Sequence, residues 1–170
     1  MFRYCINANN HRICSLCLNT YTQSLATYYQ QAEVIDGTVQ SITILDGSGT
    51  TNSGVLVLAS VSIKTITSGT LPNGFRYAVW LQRSTDPTFM TNTTNVYKTE
   101  DGIASGTAMV SGGIAPLAAG ASTTTIVYPD LALATGTYYY RLVFQPLMGS
   151  FYGLTPNAQD RSMVLLQIKR

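Results

Sequence analysis

The sequence predicts an all-β protein folded as an antiparallel β-sandwich. Three observations carry this. From residue 33 onward, short apolar runs of alternating pattern recur, each bounded by Gly, Pro, Asn or Asp. After residue 32 no stretch has the three-to-four-residue period of an amphipathic helix. Thr supplies about one residue in seven, a composition suited to strands with hydroxylated outer faces.

The elements follow in chain order. Residues 1–32 are rich in Asn, Gln, Tyr, Thr and Cys without a clean period, and are expected to form an irregular N-terminal arm. Within it, Thr22 to Gln31 suits a short helix, a strand or an arm equally well. Residues 33–170 form the sandwich. Val39 to Leu45 is the first strand, closed by Asp46-Gly47-Ser48-Gly49. Val55 to Ile66 is the longest, with Val55, Val57, Ala59, Val61 and Ile63 on one face and Ser60, Ser62 and Lys64 on the other. Leu71-Pro72-Asn73-Gly74 is a turn. In Phe75 to Arg83, Phe75, Tyr77, Val79 and Leu81 oppose Arg76, Ala78, Trp80 and Gln82. Thr94 to Lys98 is shorter, and Ala108 to Val110 and Ile114 to Leu117 are weak candidates. Thr123 to Tyr128 alternates again. Thr137 to Phe144 aligns Tyr138, Tyr140, Leu142 and Phe144. Ser162 to Ile168 closes the chain, with Val164, Leu166 and Ile168 on one side. About eight strands in about 140 residues suit a single jelly roll, because a seven-stranded immunoglobulin-like sandwich takes about 100.

Composition narrows the function classes. The chain has 170 residues, enough for one full-sized domain. Ten basic and eight acidic side chains leave a formal charge of +2, too balanced for a protein that grips nucleic acid by its phosphates. Charged residues are only 11% of the chain, against roughly 25% in ordinary soluble domains. A surface of Thr, Ser, Asn, Gln and Ala can be buried between subunits without the desolvation penalty of charges. Gly54 to Ile63 is the longest apolar stretch and is too short for a membrane-spanning helix, which needs about 20 residues. The N-terminus has no continuous apolar signal core, so export by signal peptide is not expected, and the sequon Asn92-Thr93-Thr94 carries no meaning without it.

Gly136-Thr-Tyr-Tyr-Tyr-Arg-Leu-Val-Phe144, followed by Arg161-Ser-Met-Val-Leu-Leu-Gln-Ile-Lys-Arg170, resembles the closing strand pair of viral and phage β-sandwich proteins. These include single jelly-roll capsid or vertex proteins and fibre-head domains. In them a G-T-Y-x-Y strand precedes a terminal R-S-L-x-x-x-E-L-K-type strand. Gln167 stands where an acid is common, and the repetitive shaft of a fibre is missing. The resemblance implies a homo-oligomer, trimer or pentamer, located in the virion and touching other capsid proteins. It points to a minor capsid or penton-like subunit. A fibre-head or lectin-like module binding a glycan or receptor is the alternative, with residues 46–54, 84–95 and 146–158 as its ligand loops.

Chemistry-bearing constellations are few. Cys5, His11, Cys14 and Cys17 form C-x5-H-x2-C-x2-C, donors able to enclose Zn2+, although crowded into one short segment. The competing reading is unliganded thiols, and no cofactor or metal is assigned. Asp46-Gly-Ser-Gly-Thr50 has the alternating oxygens of a cation loop but one carboxylate, and is read as a hairpin tip. The acids Glu33, Asp36, Asp46, Asp86, Glu100, Asp101, Asp130 and Asp160 mostly sit beside Gly or Pro or between strands, where they form turns. No catalytic residue is assigned and no enzyme activity is expected. Trp80 and the tyrosines suit stacking on sugars or bases, but burial of both faces of a central strand explains them better.

Overall fold

The structure is a computed structural model that describes residues 5–8, 11–19, 22–25, 32–48, 53–67, 76–99, 102–103, 121–146 and 154–169. Its strands are β1 (Cys5–Ala8), β2 (His11–Asn19), β3 (Gln23–Ser24), β4 (Glu33–Val34), β5 (Gln40–Ser48) and β6 (Ser53–Thr67). They continue with β7 (Arg76–Ser84), β8 (Thr94–Lys98), β9 (Gly102–Ile103), β10 (Ala121–Leu131), β11 (Ala134–Pro146) and β12 (Leu154–Lys169). Two antiparallel sheets result. One runs β1-β2-β12-β6-β10 with β3 added beside β12; the other runs β4-β11-β7-β8 with β5 on β11 and β9 on β7.

The pairing obeys one rule. Setting aside the short β1, β3, β4 and β9, the outermost strands in sequence pair first: β2 with β12, β5 with β11, β6 with β10 and β7 with β8. A single long hairpin wrapped around a barrel produces this nesting, which is the jelly roll. Contacts of β12 with β6 and β11 with β7 then stitch the wrapped pairs into the two sheets.

The alternation in the sequence places the core. Val55, Val57, Ala59, Val61 and Ile63 of β6 are all buried, as are Tyr77, Val79 and Leu81 of β7 and Tyr140, Leu142 and Phe144 of β11. Ile42 and Ile44 of β5, Ile126 of β10, and Met163 and Leu165 of β12 complete the layer, with Leu25, Ile35 and Leu133 closing its ends. The Tyr77 and Phe144 rings meet at 5.3 Å between centroids.

Two expectations change. Of the segment 1–32, expected to be an irregular arm, residues 5–8 and 11–19 are strands: β2 lies inside a sheet, hydrogen-bonded to β1 on one side and β12 on the other. Strand pairing supplied by the distant β12 orders a segment whose own sequence shows no period. In β12 Val164, Leu166 and Ile168 share one face, as the alternation predicts; that face is half-buried and outward, and the core side is Met163 and Leu165. The cause is a bulge: the register against β6 slips between Gln159 and Arg161, and Asp160 takes a left-handed φ of 33°. Asp46 to Ser48, read as a turn, continue β5. The turn at Leu71–Gly74 and the weak candidates at 108–110 and 114–117 lie outside the described residues.

Gly54 marks a close approach between β6 and β10. A Cβ added there would stand 2.4 Å from the backbone oxygen of Asp130 and 3.0 Å from the Leu131 Cα. Backbone cannot yield as a flexible side chain does. Gly54→Ala is therefore expected to destabilise by about 1–3 kcal/mol, the range for overpacking. Urea unfolding of the variant beside the parent checks this.

Candidate interaction surface

With alternate residues of β6 committed to the core, Leu56, Leu58, Ser60 and Ser62 face outward. Register aligns them with their neighbours into rows. Leu166–Leu56–Pro129 and Val164–Leu58–Val127 are apolar; Ser162–Ser60–Thr125 and Gln159–Ser62–Thr123 are polar and uncharged. The hydroxyls pair across strands, Ser60 with Ser162 at 2.8 Å and Ser62 with Thr123 at 2.9 Å. No charged side chain occurs in these four rows. On β2 the register sets Leu16 opposite Val164 and Ile13 opposite Leu166.

The rows end at β10, which pairs only with β6 among the described residues. Thr123, Thr125, Val127 and Pro129 are all exposed, Val127 to 63%. A proline inside a regular ladder sits where its missing N–H faces away from the paired strand. Pro129 thus sets the parity of β10. Residues 124, 126 and 128 turn their backbone groups to β6, and residues 123, 125 and 127 turn theirs away from it.

Two polar clasps join the sheets. Arg83 of β7 donates to both carboxylate oxygens of Asp130 on β10, at 2.7 and 2.9 Å, and the Tyr140 hydroxyl donates to Asp130 Oδ2 at 2.8 Å. Burial, then the charge of Asp130, pushes the Tyr140 pKa far above its ordinary 10.0. The second clasp is Arg161, 1% exposed, donating to Gln23 Oε1 at 2.9 Å and to the carbonyls of Asp36 and Ala158 at 2.6 and 3.2 Å. Gln23 also donates to the Val34 carbonyl and accepts from the Asp36 amide. Arg161 thereby connects β12 to the turn between β4 and β5.

The outer face of the other sheet has a different texture. Trp80 donates to Gln145 Oε1 at 2.9 Å, and Lys98 Nζ lies 4.7 Å from the centre of its ring. Arg141 donates to Gln82 and stacks 4.2 Å over Phe89, while Gln82 donates to Asn95. The aromatic that composition offered for sugar stacking is half-buried and engaged with its own neighbours.

Of the candidate ligand loop 84–95, residues 85–93 connect β7 to β8 and are built around Asp86. Its carboxylate accepts from the backbone amides of Thr88, Met90 and Thr91 and from the hydroxyls of Thr88 and Thr91. These bonds, the Thr88 amide foremost, lower the Asp86 pKa from 3.8 to about 2. The loop bends through left-handed residues at Phe89 and Asn92, and Phe89 is buried.

The remaining sequence candidates fall on several elements, with His11, Cys14 and Cys17 together on β2. The backbone puts Cys5 on β1 opposite Cys14 on β2, His11 opposite Ala8, and Cys17 opposite Met163; the side chains of these Cys and His residues lie outside the described ones. Glu33 lies on β4 and accepts from Gln23 at 3.4 Å, Asp36 occupies the turn before β5, and Asp160 forms the bulge. Thr50, Glu100 and Asp101 fall outside the described residues, as do 49–52 and 147–153 of the other two candidate ligand loops. Among the described residues no helix is long and apolar enough to cross a membrane. Sequence reasoning missed both clasps, although Asp130 beside Pro129 on a strand, instead of in a turn, was the available signal for one of them.

No protein-family model and no curated protein matches the chain. Among solved structures, the chain is similar to the infectious bursal disease virus VP2 subviral particle at 12% identity and a TM-score of 0.37, over 95% of this chain and 33% of that one. It is also similar to the infectious bursal disease virus Gt strain structure at 12% identity and a TM-score of 0.35, over 89% of this chain and 33% of that one. The chain thus spans about a third of the length of the chains it matches.

Two pH responses follow. A raised Tyr140 pKa gives stability that is complete below pH 10.0 and is lost as pH climbs beyond it. Tyr140→Phe is expected to be less stable at neutral pH by about 1.5–3 kcal/mol, the worth of a hydrogen bond to a charged group. Its stability should also fall less steeply above pH 10.0, as chemical unfolding at several pH values would show. The lowered Asp86 pKa works in the opposite direction: its contribution is present above pH 3.8 and is lost as pH falls through about 2. Amide exchange at Thr88, Met90 and Thr91 should accelerate over that interval in the parent, and be fast and pH-insensitive in Asp86→Ala once the intrinsic chemistry is subtracted.

Proposed function

We propose that this protein is a structural subunit of a virion, a minor capsid or penton-like component that works by self-assembly and by contacts with neighbouring capsid proteins. The observation that carries the reading is a set of four uncharged rows on the outer face of β12, β6 and β10, two apolar beside two polar, lying between the exposed Asp160 and the far ends of the strands. Ordinary soluble domains cover such a face with Lys and Glu. A face without charge can be buried against another subunit at little electrostatic cost. The jelly-roll nesting and the resemblance of the closing strands support the same reading.

The proposal assigns no catalysis. Each described carboxylate with hydrogen bonds has a local structural use: Asp86 in its loop, Asp130 in the clasp and Glu33 beside Gln23. Assembly is preferred to glycan binding because Trp80 is held by Gln145 and Lys98.

Light scattering after size exclusion tests the reading. A defined homo-oligomer is expected from the full chain, and Leu58→Glu on the apolar row should lower its mass while leaving the circular dichroism of the fold intact. An oligomer of unchanged mass in that variant would remove the face from the assembly.

A further inference from the structure

We infer that Cys5 and Cys14 form a redox modification site: an intramolecular disulfide that closes the hairpin of β1 and β2 and leaves Cys17 as a thiol.

The backbone register carries this. The hairpin pairs Cys5 with Cys14, Ile6 with Ile13, Asn7 with Arg12 and Ala8 with His11, without a slip. Directly opposed residues of an antiparallel pair share a face. Their Cα atoms stand about 4.5 or 5.5 Å apart, according to whether the pair is hydrogen-bonded. Both separations fall inside the roughly 4.4–6.8 Å that a disulfide spans. Cysteines opposed in a ladder therefore join without moving the backbone.

The same register takes apart the four-donor metal set that the sequence suggested. Cys5 and Cys14 belong to one face of the hairpin, and Ala8 and His11, three positions further along each strand, belong to the other. One ion cannot be enclosed by donors divided between the two faces of a sheet. Cys17 shares the face of Cys14, because the ladder to β12 passes over Ser15: Cys14 stands opposite Leu165 and Cys17 opposite Met163. Three thiol-bearing positions thus lie on one face, and the opposed pair among them is Cys5 and Cys14.

The chemistry balances with a small-molecule disulfide, such as oxidised glutathione, as the electron acceptor. One cysteine thiolate attacks it, forming a mixed disulfide and releasing one small thiol. The second thiolate attacks the protein sulfur of the mixed disulfide, forming the Cys5–Cys14 bond and releasing the other small thiol. The two protein thiols lose two protons and two electrons, and the acceptor gains them. The bond acts on the sheet. β1 has four residues and pairs only with β2 among the described residues, so a covalent closure of the hairpin holds it in place.

The test is disulfide mapping of the folded full chain in a buffer of oxidised and reduced glutathione, with the remaining thiols alkylated. Trypsin cuts after Arg3, Arg12 and Lys64, so the bond joins peptide 4–12 to peptide 13–64. This linked pair should dominate, fragmentation should place the alkyl group on Cys17, and the link should persist undiminished in Cys17→Ser. The same buffer with urea should give a mixture of pairings, since the fold is what selects one. Oxidation should slow amide exchange over β1 by about tenfold or more. A bond between Cys14 and Cys17, loss of the link in Cys17→Ser, or a folded parent that stays reduced where the urea-unfolded chain oxidises overturns the inference. So does one equivalent of zinc retained by the parent and lost in His11→Ala, which would bring both faces of the hairpin to one ion.

Discussion

The register between β6 and β12 is the constraint on which the rest of the sandwich depends. These two long central strands carry the middle of one sheet: β2, β3 and β10 pair directly with one of them, and β1 is added through β2. Side chains alternate faces with a period of two, so a slip of one residue would turn a whole strand inside out. β12 uses that property once, at Asp160. Before the bulge Ala158 is buried; after it Arg161, Met163 and Leu165 are buried. Were the ladder regular through Asp160, then Asp160, Ser162, Val164 and Leu166 would take the inward positions and the core would receive a carboxylate.

The bulge also explains a buried arginine. Arg161 comes inward because the register change sends it there, and it is accommodated by oxygens from Gln23, Asp36 and Ala158. At β10 the ladder has no register change, and Asp130 is buried by ordinary alternation with Ile126; it is met by Arg83 and Tyr140. Buried charges of this sort add little net stability relative to apolar side chains, but removing one partner is costly, of order 3–5 kcal/mol. Their effect is to penalise any docking of the two sheets that leaves a clasp open. The apolar layer alone, built of Val, Ile and Leu on both sides, would discriminate less sharply between neighbouring alignments.

Much of the fold was legible because it is local. The alternation of Val55 to Ile63 and of Tyr77 to Leu81 states which residues face the core, and all of them are buried, although Ala78 on the opposite face of β7 is buried as well. The eight-strand jelly roll followed from strand number and spacing. What was not legible depends on partners distant in sequence. β2 has no pattern of its own and becomes a strand because β12 lies beside it. The core side of β12 could not be read from Val164, Leu166 and Ile168, since the bulge that decides it lies upstream. Of the interaction surface, the scarcity of charge was visible as composition, but its concentration into four uncharged rows required the registers of β10 and β12. Asp86 was correctly a turn former; that it would gather five donors depends on how Thr88, Met90 and Thr91 curl back.

The nesting of early strands with late ones has a consequence for how the chain acquires its structure. β12 inserts between β2 and β6, so the sheet they share cannot close until the last strand has been synthesised. Until then β6 presents a fifteen-residue edge, rich in Val and Leu, on the side that β12 will occupy. Closing such distant pairs carries a large loop entropy, which makes folding slow relative to chains dominated by local contacts. During synthesis the same uncovered edge is where nascent copies would meet one another prematurely. A crowded polysome, more than the finished protein, is therefore where aggregation has its opening.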